Sequence, residues 1–338
     1  MKIGSMFSGI GGLDLAASAA FRAKVEWSIE ENPHCCEVLR RHFDFQVIRE
    51  DVQKVDPNTL PKVDILTGGW PCSNLSIAGD RTGLDGEKSR LYLECLRFAE
   101  ALRPTGVVFE NGPGVLKYQK RIEKDLHKLG YGVGFVRIAA ADVGAPQWRK
   151  RVFIVGKQGE HHRGIINEFS SIPDGFWPTA VASGDRIAMF KQGGEPLGRA
   201  VRWPTPNARD SKDCGPTQGN RKSPNLGTIV HQEADGRLSG RLSPDWVECL
   251  MGFPVGWTRP EGDCQSFMAH VRTTSPKFPM SRGKEQFHWE PSRLVQGNRV
   301  MGRPARLRAL GNAVVPSQGY AAILEAITVF SGKSPLLC

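Results

Sequence analysis

The regular alternation of short apolar strands with helical stretches, over roughly the first 155 residues, most constrains what this chain can fold into. Residues 3–7, 25–29, 47–50, 63–67 and 107–110 read as strands, and residues 13–21, 33–42, 89–102 and 119–129 read as helices between them. Residues 133–139 and 151–155 read as a late antiparallel strand pair. Strands that alternate with helices bury both faces in a parallel sheet covered by helices, the doubly wound α/β class. After Gly156 the texture changes: the chain becomes richer in Gly, Pro, Ser, Asn and Arg. Residues 244–251 and 321–329 are the helical exceptions. We therefore expect one domain from residues 1–160 plus 305–338, and a smaller irregular one over 161–304.

Charge supports that division. The 338 residues carry a net +10, and residues 157–310 hold 22 Lys+Arg against 15 Asp+Glu, so +7 of it lies there. That places the preference for a polyanionic partner in the irregular domain. We find no apolar run approaching the ~18–20 residues that cross a bilayer, and no secretory signal at the N-terminus. The expectation is a cytoplasmic protein with no membrane partner. Eight cysteines are scattered without a C-x-x-C pair, and no His cluster has zinc spacing, so no metal site is expected.

Phe7-Ser8-Gly9-Ile10-Gly11-Gly12 follows the first strand and opens the first helix. Glycines there let the backbone approach a ligand at the carboxyl edge of the sheet. Glu30 ends the second strand, where a carboxylate accepts from ribose hydroxyls, and Asp51 ends the third. These residues fit any adenosine-containing cofactor, with NAD and S-adenosyl-L-methionine both open.

Cys72 follows the fourth strand through Gly68-Gly69-Trp70-Pro71, which puts a thiol at the same edge. A lone cysteine at a strand end is usually a packing residue. Glu110, at the end of the fifth strand in Val107-Val108-Phe109-Glu110-Asn111-Gly112, changes that balance by bringing a second reactive group to the edge. Arg149 and Arg151, in Gln147-Trp148-Arg149-Lys150-Arg151, alternate and would face one side of an extended chain. Paired guanidiniums suit phosphate or a carboxylate.

At this point the chain resembles the DNA cytosine-5 methyltransferases. Pro-Cys with Ser76 four residues on, Glu110-Asn111, Gln147-x-Arg149-x-Arg151, the 242–257 segment and Gly311-Asn312-Ala313-Val314-Val315-Pro316 follow in that family's order. The resemblance implies a Rossmann-like methyltransferase sheet with a smaller DNA-recognition domain. It implies S-adenosyl-L-methionine as cofactor, held by Phe7, Gly9, Gly11, Gly12, Glu30, Asp51, Val52, Pro71, Leu91, Asn312 and Ala313. Cys72 is then the nucleophile toward carbon 6 of a flipped cytosine. Glu110 holds the ring, and Arg149 and Arg151 complete the catalytic set. Ser76, Arg81, Lys88, Arg90, Arg202, Arg209, Lys212 and Arg221 would meet DNA, with Lys222 and Asn225 beside them. The implied partner is double-stranded DNA, with a cognate restriction endonuclease as a further one. The implied setting is a monomer, nucleoid-associated or phage-encoded, in a bacterial host.

One position departs from the family: Gly112 stands where Val usually follows Glu-Asn, removing a side chain beside the expected base pocket. Residues 259–303 match none of the family's ordered blocks. The tRNA-modifying branch carries a late Cys-Phe-Thr signature, and this chain has none.

Overall fold

The computed structural model describes residues 1–71, 91–159, 163–166, 202–212, 224–234, 240–261, 277–296 and 300–331. The chain divides into two compact units. One comprises Met1–Ala139, Lys150–Pro173 and Pro316–Cys338, and the other Ala140–Arg149 and Asp174–Val315.

The first unit is built on an eight-stranded sheet of order β3-β2-β1-β4-β5-β7-β6-β8. Its strands are β1 (Lys2–Met6), β2 (Lys24–Ile29), β3 (Gln46–Ile48), β4 (Ile65–Gly68), β5 (Gly106–Asn111), β6 (Tyr131–Ala139), β7 (Lys150–Gln158) and β8 (Arg163–Ile166). β1 to β5 run parallel, and β7 runs antiparallel to both β5 and β6. The late strand pair is therefore antiparallel as the sequence indicates. From β1 the chain moves one way to β2 and β3, then returns to add β4 and β5 on the other side. Right-handed crossovers then place α1 (Gly12–Phe21) and α2 (Pro33–His42) on one face and α3 (Leu91–Leu102) and α4 (Gln119–Lys128) on the other.

Packing follows this layering. Tyr92, Cys95, Phe98 and Leu102 of α3, with Ile122 and Leu126 of α4, join Trp27, Leu66, Val107, Phe109, Phe135 and Ile154 of the strands in one apolar cluster. The alternate strand residues Val108, Val136 and Phe153 are equally buried. They are left to the opposite face, where the last helix α8 (Pro316–Ser331) packs on α1, β6 and β7. The Gln318 side-chain amide donates to the Ile138 carbonyl at 2.9 Å, which fixes that helix to β6.

The second unit holds α5 (Leu226–Glu233), α6 (Pro244–Leu250), α7 (Arg303–Asn312) and a small ribbon of β9 (Arg241–Leu242) with β10 (Leu294–Val295). Trp246, Leu250, Met251, Phe253 and Trp257 are buried, so the 242–257 segment forms core. A charged network sits inside it. The buried Glu248 accepts from the amides of Gly256 at 2.6 Å and Thr258 at 2.8 Å, and pairs with Arg306 at 2.9 Å. Arg306 also pairs with Asp245.

One expectation is corrected. Residues Arg303–Phe330 are long and apolar enough, by composition, to cross a membrane. They form two helices, α7 and α8, interrupted at 313–315, and 67% of the most apolar window is buried.

Candidate active site

Strand register assembles the site. Ile29 of β2 pairs with Met6 of β1, Met6 with Gly68 of β4, and Gly68 with Phe109 of β5. These four residues form one row across four parallel strands. The residues after them, Glu30, Phe7, Gly69 and Glu110, therefore stand side by side at the carboxyl edge, with Glu110 still paired to β7 while the other three have left the sheet. At ~4.8 Å between strands the row spans about 15 Å. It brackets β1 and β4, where the strand order reverses and open α/β sheets take their ligands.

The Phe7–Gly11 loop departs sharply from extended backbone. Phe7, Gly9 and Gly11 have φ of 55°, 55° and 87°. Phe7 is the costly member, because a side chain rarely accepts this left-handed region. Gly11 must be glycine for space as well, since a Cβ would lie 2.5 Å from the Phe43 ring. Among the described residues, nothing lies within 4 Å of where a Cβ on Gly9 would stand, which leaves room beside the loop.

The Glu30 carboxylate braces this loop. Oε2 accepts from the Gly9 amide and Oε1 from the Asn32 amide, both at 2.8 Å. Each carboxylate oxygen has a second acceptor position to offer a hydroxyl. Burial raises the Glu30 carboxyl above its ordinary range, and the two amide hydrogen bonds offset part of that. Asp51 caps the turn Val52–Lys54 by accepting from the Gln53 amide at 3.0 Å, and Val52 beside it is buried. Leu91 packs against the apolar cluster, and Pro71 is exposed. A loop with room beside Gly9 and a carboxylate aimed into its backbone fits the adenosyl cofactor implied by the sequence.

Cys72, Ser76, Arg81, Lys88, Arg90 and Arg221 lie outside the described residues, as does Lys222. The approach to Cys72 is well defined. Trp70 is buried and packs on Tyr92 and Phe109, with ring centroids 5.4 and 6.4 Å apart. The Asn111 side-chain amide donates to the Trp70 carbonyl at 3.0 Å, while its oxygen accepts from the Gly112 amide at 2.8 Å. Glu110 Oε2 lies 3.1 Å from where a Cβ on Gly69 would stand. The carboxylate thus leans on the backbone three residues before Cys72. Gly112 has φ −66° and ψ 162°, values open to any residue, so the backbone does not demand glycine there.

The two arginines take different partners. Glu110 opposes Phe153 on the antiparallel neighbour, and Arg151, two residues away on the same face, is its diagonal neighbour. Arg151 Nε meets Glu110 Oε1 at 2.8 Å. Arg149 belongs to the second unit and is 1% exposed. Its guanidinium donates to the carbonyls of Pro206 at 2.9 Å, Gly311 at 3.1 Å and Ala313 at 2.6 Å. It binds together two backbone segments, including the one that carries the exposed Asn312 and buried Ala313. Gln147, also buried, donates to the Leu250 carbonyl at 2.7 Å.

Gly311 is forced by the same arrangement. A Cβ there would fall 2.2 Å from the Asn207 carbonyl carbon and 2.4 Å from the Ala208 nitrogen. Backbone cannot swing aside as a side chain can. Gly311→Ala is therefore expected to cost at least the ~1–3 kcal/mol of an overpacked core, read as a fall in the denaturant midpoint. A midpoint equal to that of the parent chain would show that this close approach is not maintained.

Most of the 203–210 segment serves structure. Trp203 and Asp210 are buried, and Asn207 and Asp210 form a reciprocal cap on the turn Ala208–Ser211. Asn225 caps α5, accepting from the Thr228 amide at 2.8 Å. Arg202 lies over the Trp148 ring at 4.0 Å, while Arg209 and Lys212 are exposed. The sequence reading passed over Asp14, a fully buried acid in the first turn of α1. Its only signal was a charge at an apolar helix position.

The comparisons with known proteins agree with this geometry. The C-5 cytosine-specific DNA methylase family matches residues 1–191. The chain is 37% identical over 162 residues to the type II methyltransferase M.NgoFVII of Neisseria gonorrhoeae, covering 46% of this chain and 43% of that one. It is 33% identical over 180 residues to the type II methyltransferase M.AquIA of Picosynechococcus, covering 46% and 72%. The match thus spans less than half the length of the first of these relatives. The fold is similar to that of the S. pombe Dnmt2 methyltransferase, with a TM-score of 0.58 at 15% identity over 97% of this chain and 99% of that one. With the family matched across more than half of the sequence, on a Rossmann-like sheet, the chain belongs to the C-5 cytosine-specific DNA methylases.

Proposed function

We propose that this chain transfers a methyl group from S-adenosyl-L-methionine to carbon 5 of cytosine in a specific duplex DNA sequence, through a covalent Cys72 adduct and base flipping. The observation that carries the reading is the row Glu30, Phe7, Gly69 and Glu110 at the carboxyl edge of β2, β1, β4 and β5. It sets an adenosine-type loop beside a carboxylate and the backbone leading to a thiol.

Carbon 5 of cytosine is a weak nucleophile, so the ring must be activated. The Cys72 thiolate adds to carbon 6, which makes carbon 5 enamine-like. Glu110 hydrogen-bonds the ring nitrogen and exocyclic amine, stabilising the adduct and selecting cytosine. Arg151, paired with Glu110, holds that carboxylate in place and keeps a positive charge beside the reacting groups. Arg149 acts here as a positioning residue for the Asn312–Ala313 segment, which the family resemblance assigns to the cofactor. Phe7, Gly9, Gly11, Gly12, Glu30, Asp51, Val52, Pro71 and Leu91 would hold the cofactor from the first unit. When bound, S-adenosyl-L-methionine supplies the electrophilic methyl group. Loss of the carbon 5 proton and departure of Cys72 then restore the ring. A paired cytosine hides carbon 6 within the stack, so the base must leave the helix, at a cost of a few kcal/mol.

In this reading residues 1–160 and 305–338 are catalytic and residues 161–304 choose the sequence. The type II relatives support a cognate restriction endonuclease as partner and a cytoplasmic setting. The test offers methyl-labelled S-adenosyl-L-methionine with cytosine-containing duplex and, separately, with tRNA. Label should enter duplex at carbon 5 of cytosine. Label in tRNA alone would overturn the choice of DNA.

A further inference from the structure

Residues 280–290 form a closed loop that neither the fold nor the proposed chemistry uses. One carboxylate ties it: Glu290 Oε1 accepts from the amides of Met280 at 2.6 Å and Phe287 at 3.0 Å. Oε2 accepts from the Gln286 side chain at 3.3 Å. Within it, the Lys284 amide turns back to the Ser281 carbonyl, with Gly283 at φ 74°.

The loop is anchored to the core of the second unit on several sides. The buried Trp203 indole donates to the Met280 carbonyl at 2.8 Å. Arg282 pairs with Glu233 of α5 at 2.7 Å. Arg293, lying over the Trp203 ring at 4.8 Å, donates to the Lys284 carbonyl at 3.2 Å. The β9–β10 ribbon then follows at once. The tip, residues 283–288, is exposed throughout. At that tip Phe287 shows 39% of its surface and stacks on Trp289, with ring centroids 5.5 Å apart and planes 16° from parallel.

A single exposed phenylalanine is ordinary on a protein surface. A flat aromatic pair on a braced loop is less so, and its surroundings name a partner. Lys284 and His288 at the tip and Lys277, three residues before the loop, are exposed, with Glu285 the exposed acid among them, and Glu290 is occupied by the loop's own amides. The wider segment 157–310 carries a net +7. An aromatic platform flanked by cations is a surface that takes nucleic acid, with cations on phosphates and the ring on bases.

We infer that the loop 280–290 is a contact for duplex DNA, with Lys277 and Lys284 on phosphates and Phe287, backed by Trp289, packed on the base surface of a groove. This rests on the reading that duplex DNA is the substrate. The test measures duplex affinity of the full chain by fluorescence anisotropy across a salt series, separately from methyl transfer. Phe287→Ala is expected to weaken binding about tenfold, the scale of one truncated aromatic anchor at an interface, with an unchanged melting temperature. Lys284→Ala should lower the slope of log affinity against log salt by about one. Parent-like affinity and slope in both variants would overturn the loop's role, whatever the enzyme methylates. Weaker binding by Phe287→Ala in a chain that transfers no methyl group to duplex would keep the loop and remove the proposed reaction.

Discussion

Cys72→Ala is expected to eliminate methyl transfer to duplex, a loss of about 10⁴-fold or more, the scale seen when a covalent nucleophile is removed. The size follows from the route. Without addition at carbon 6, carbon 5 keeps the poor nucleophilicity of an aromatic ring, and no group in the described row replaces the thiolate. Phe7, Glu30 and Glu110 are untouched by the substitution, so cofactor and duplex should still bind. Loss of turnover with binding retained is the expected signature. A duplex carrying 5-fluorocytosine sharpens the experiment, because the fluorine cannot leave as a proton does. The parent chain should stay attached to it on a denaturing gel, and Cys72→Ala should not. Undiminished transfer by the variant would sink the covalent route.

The second large effect concerns stability and pH. Asp14 lies in the first turn of α1 with no exposed surface. Burial pushes its carboxyl up to about 7, and the nearby Glu30 adds to the rise. The Ser5 hydroxyl, itself 2.8 Å from Ser8 Oγ, opposes the rise, but among the described residues neither Asp14 oxygen completes a hydrogen bond. An acid whose folded pKa is raised keeps its proton after the unfolded chain has released it. Stability should therefore be full below the ordinary carboxyl range, near 4, and fall as pH rises to about 7. At 1.36 kcal/mol per unit the loss approaches roughly 4 kcal/mol. Chemical denaturation of the parent and Asp14→Asn at pH 5 and pH 8 isolates this group from the other buried acids. The variant's stability relative to the parent should rise between the two. An identical pH dependence in both proteins would mean that Asp14 is ionised in the fold.

The sequence made the sheet legible because a parallel strand, buried on both faces, must be a short apolar run. For the same reason it placed Glu30 and Glu110 at the carboxyl edge, since a charge immediately after such a run marks where the buried part of the strand stops. Register was not legible. Nothing local says that Met6 pairs with Gly68 and Gly68 with Phe109, yet that row frames the candidate site. Arg149 shows a different gap. Alternation along a strand suggested that it shared a role with Arg151, but three carbonyls from residues 206 to 313 claim its guanidinium, and such partners depend on tertiary structure. The helices α5 and α7 were missed because they sit among Gly, Pro and Arg, so apolar periodicity is weak over their length. α8 starts at Pro316, five residues before the apolar stretch that announces it, because proline is suited to the first turn of a helix.

The position of α8 has a consequence for how the protein is made. This helix covers α1, β6 and β7, yet nearly 300 residues separate it from α1 along the chain. At ~5–20 residues per second, a ribosome needs roughly 15–60 s to deliver α8 after α1 has emerged. For that interval α1 can pack on β1, β2 and β4, but its side facing α8 lacks native cover and leaves apolar surface open to aggregation. Completion of the first unit awaits α8, so a transcript cut short before Pro316 would yield a sheet with an open face.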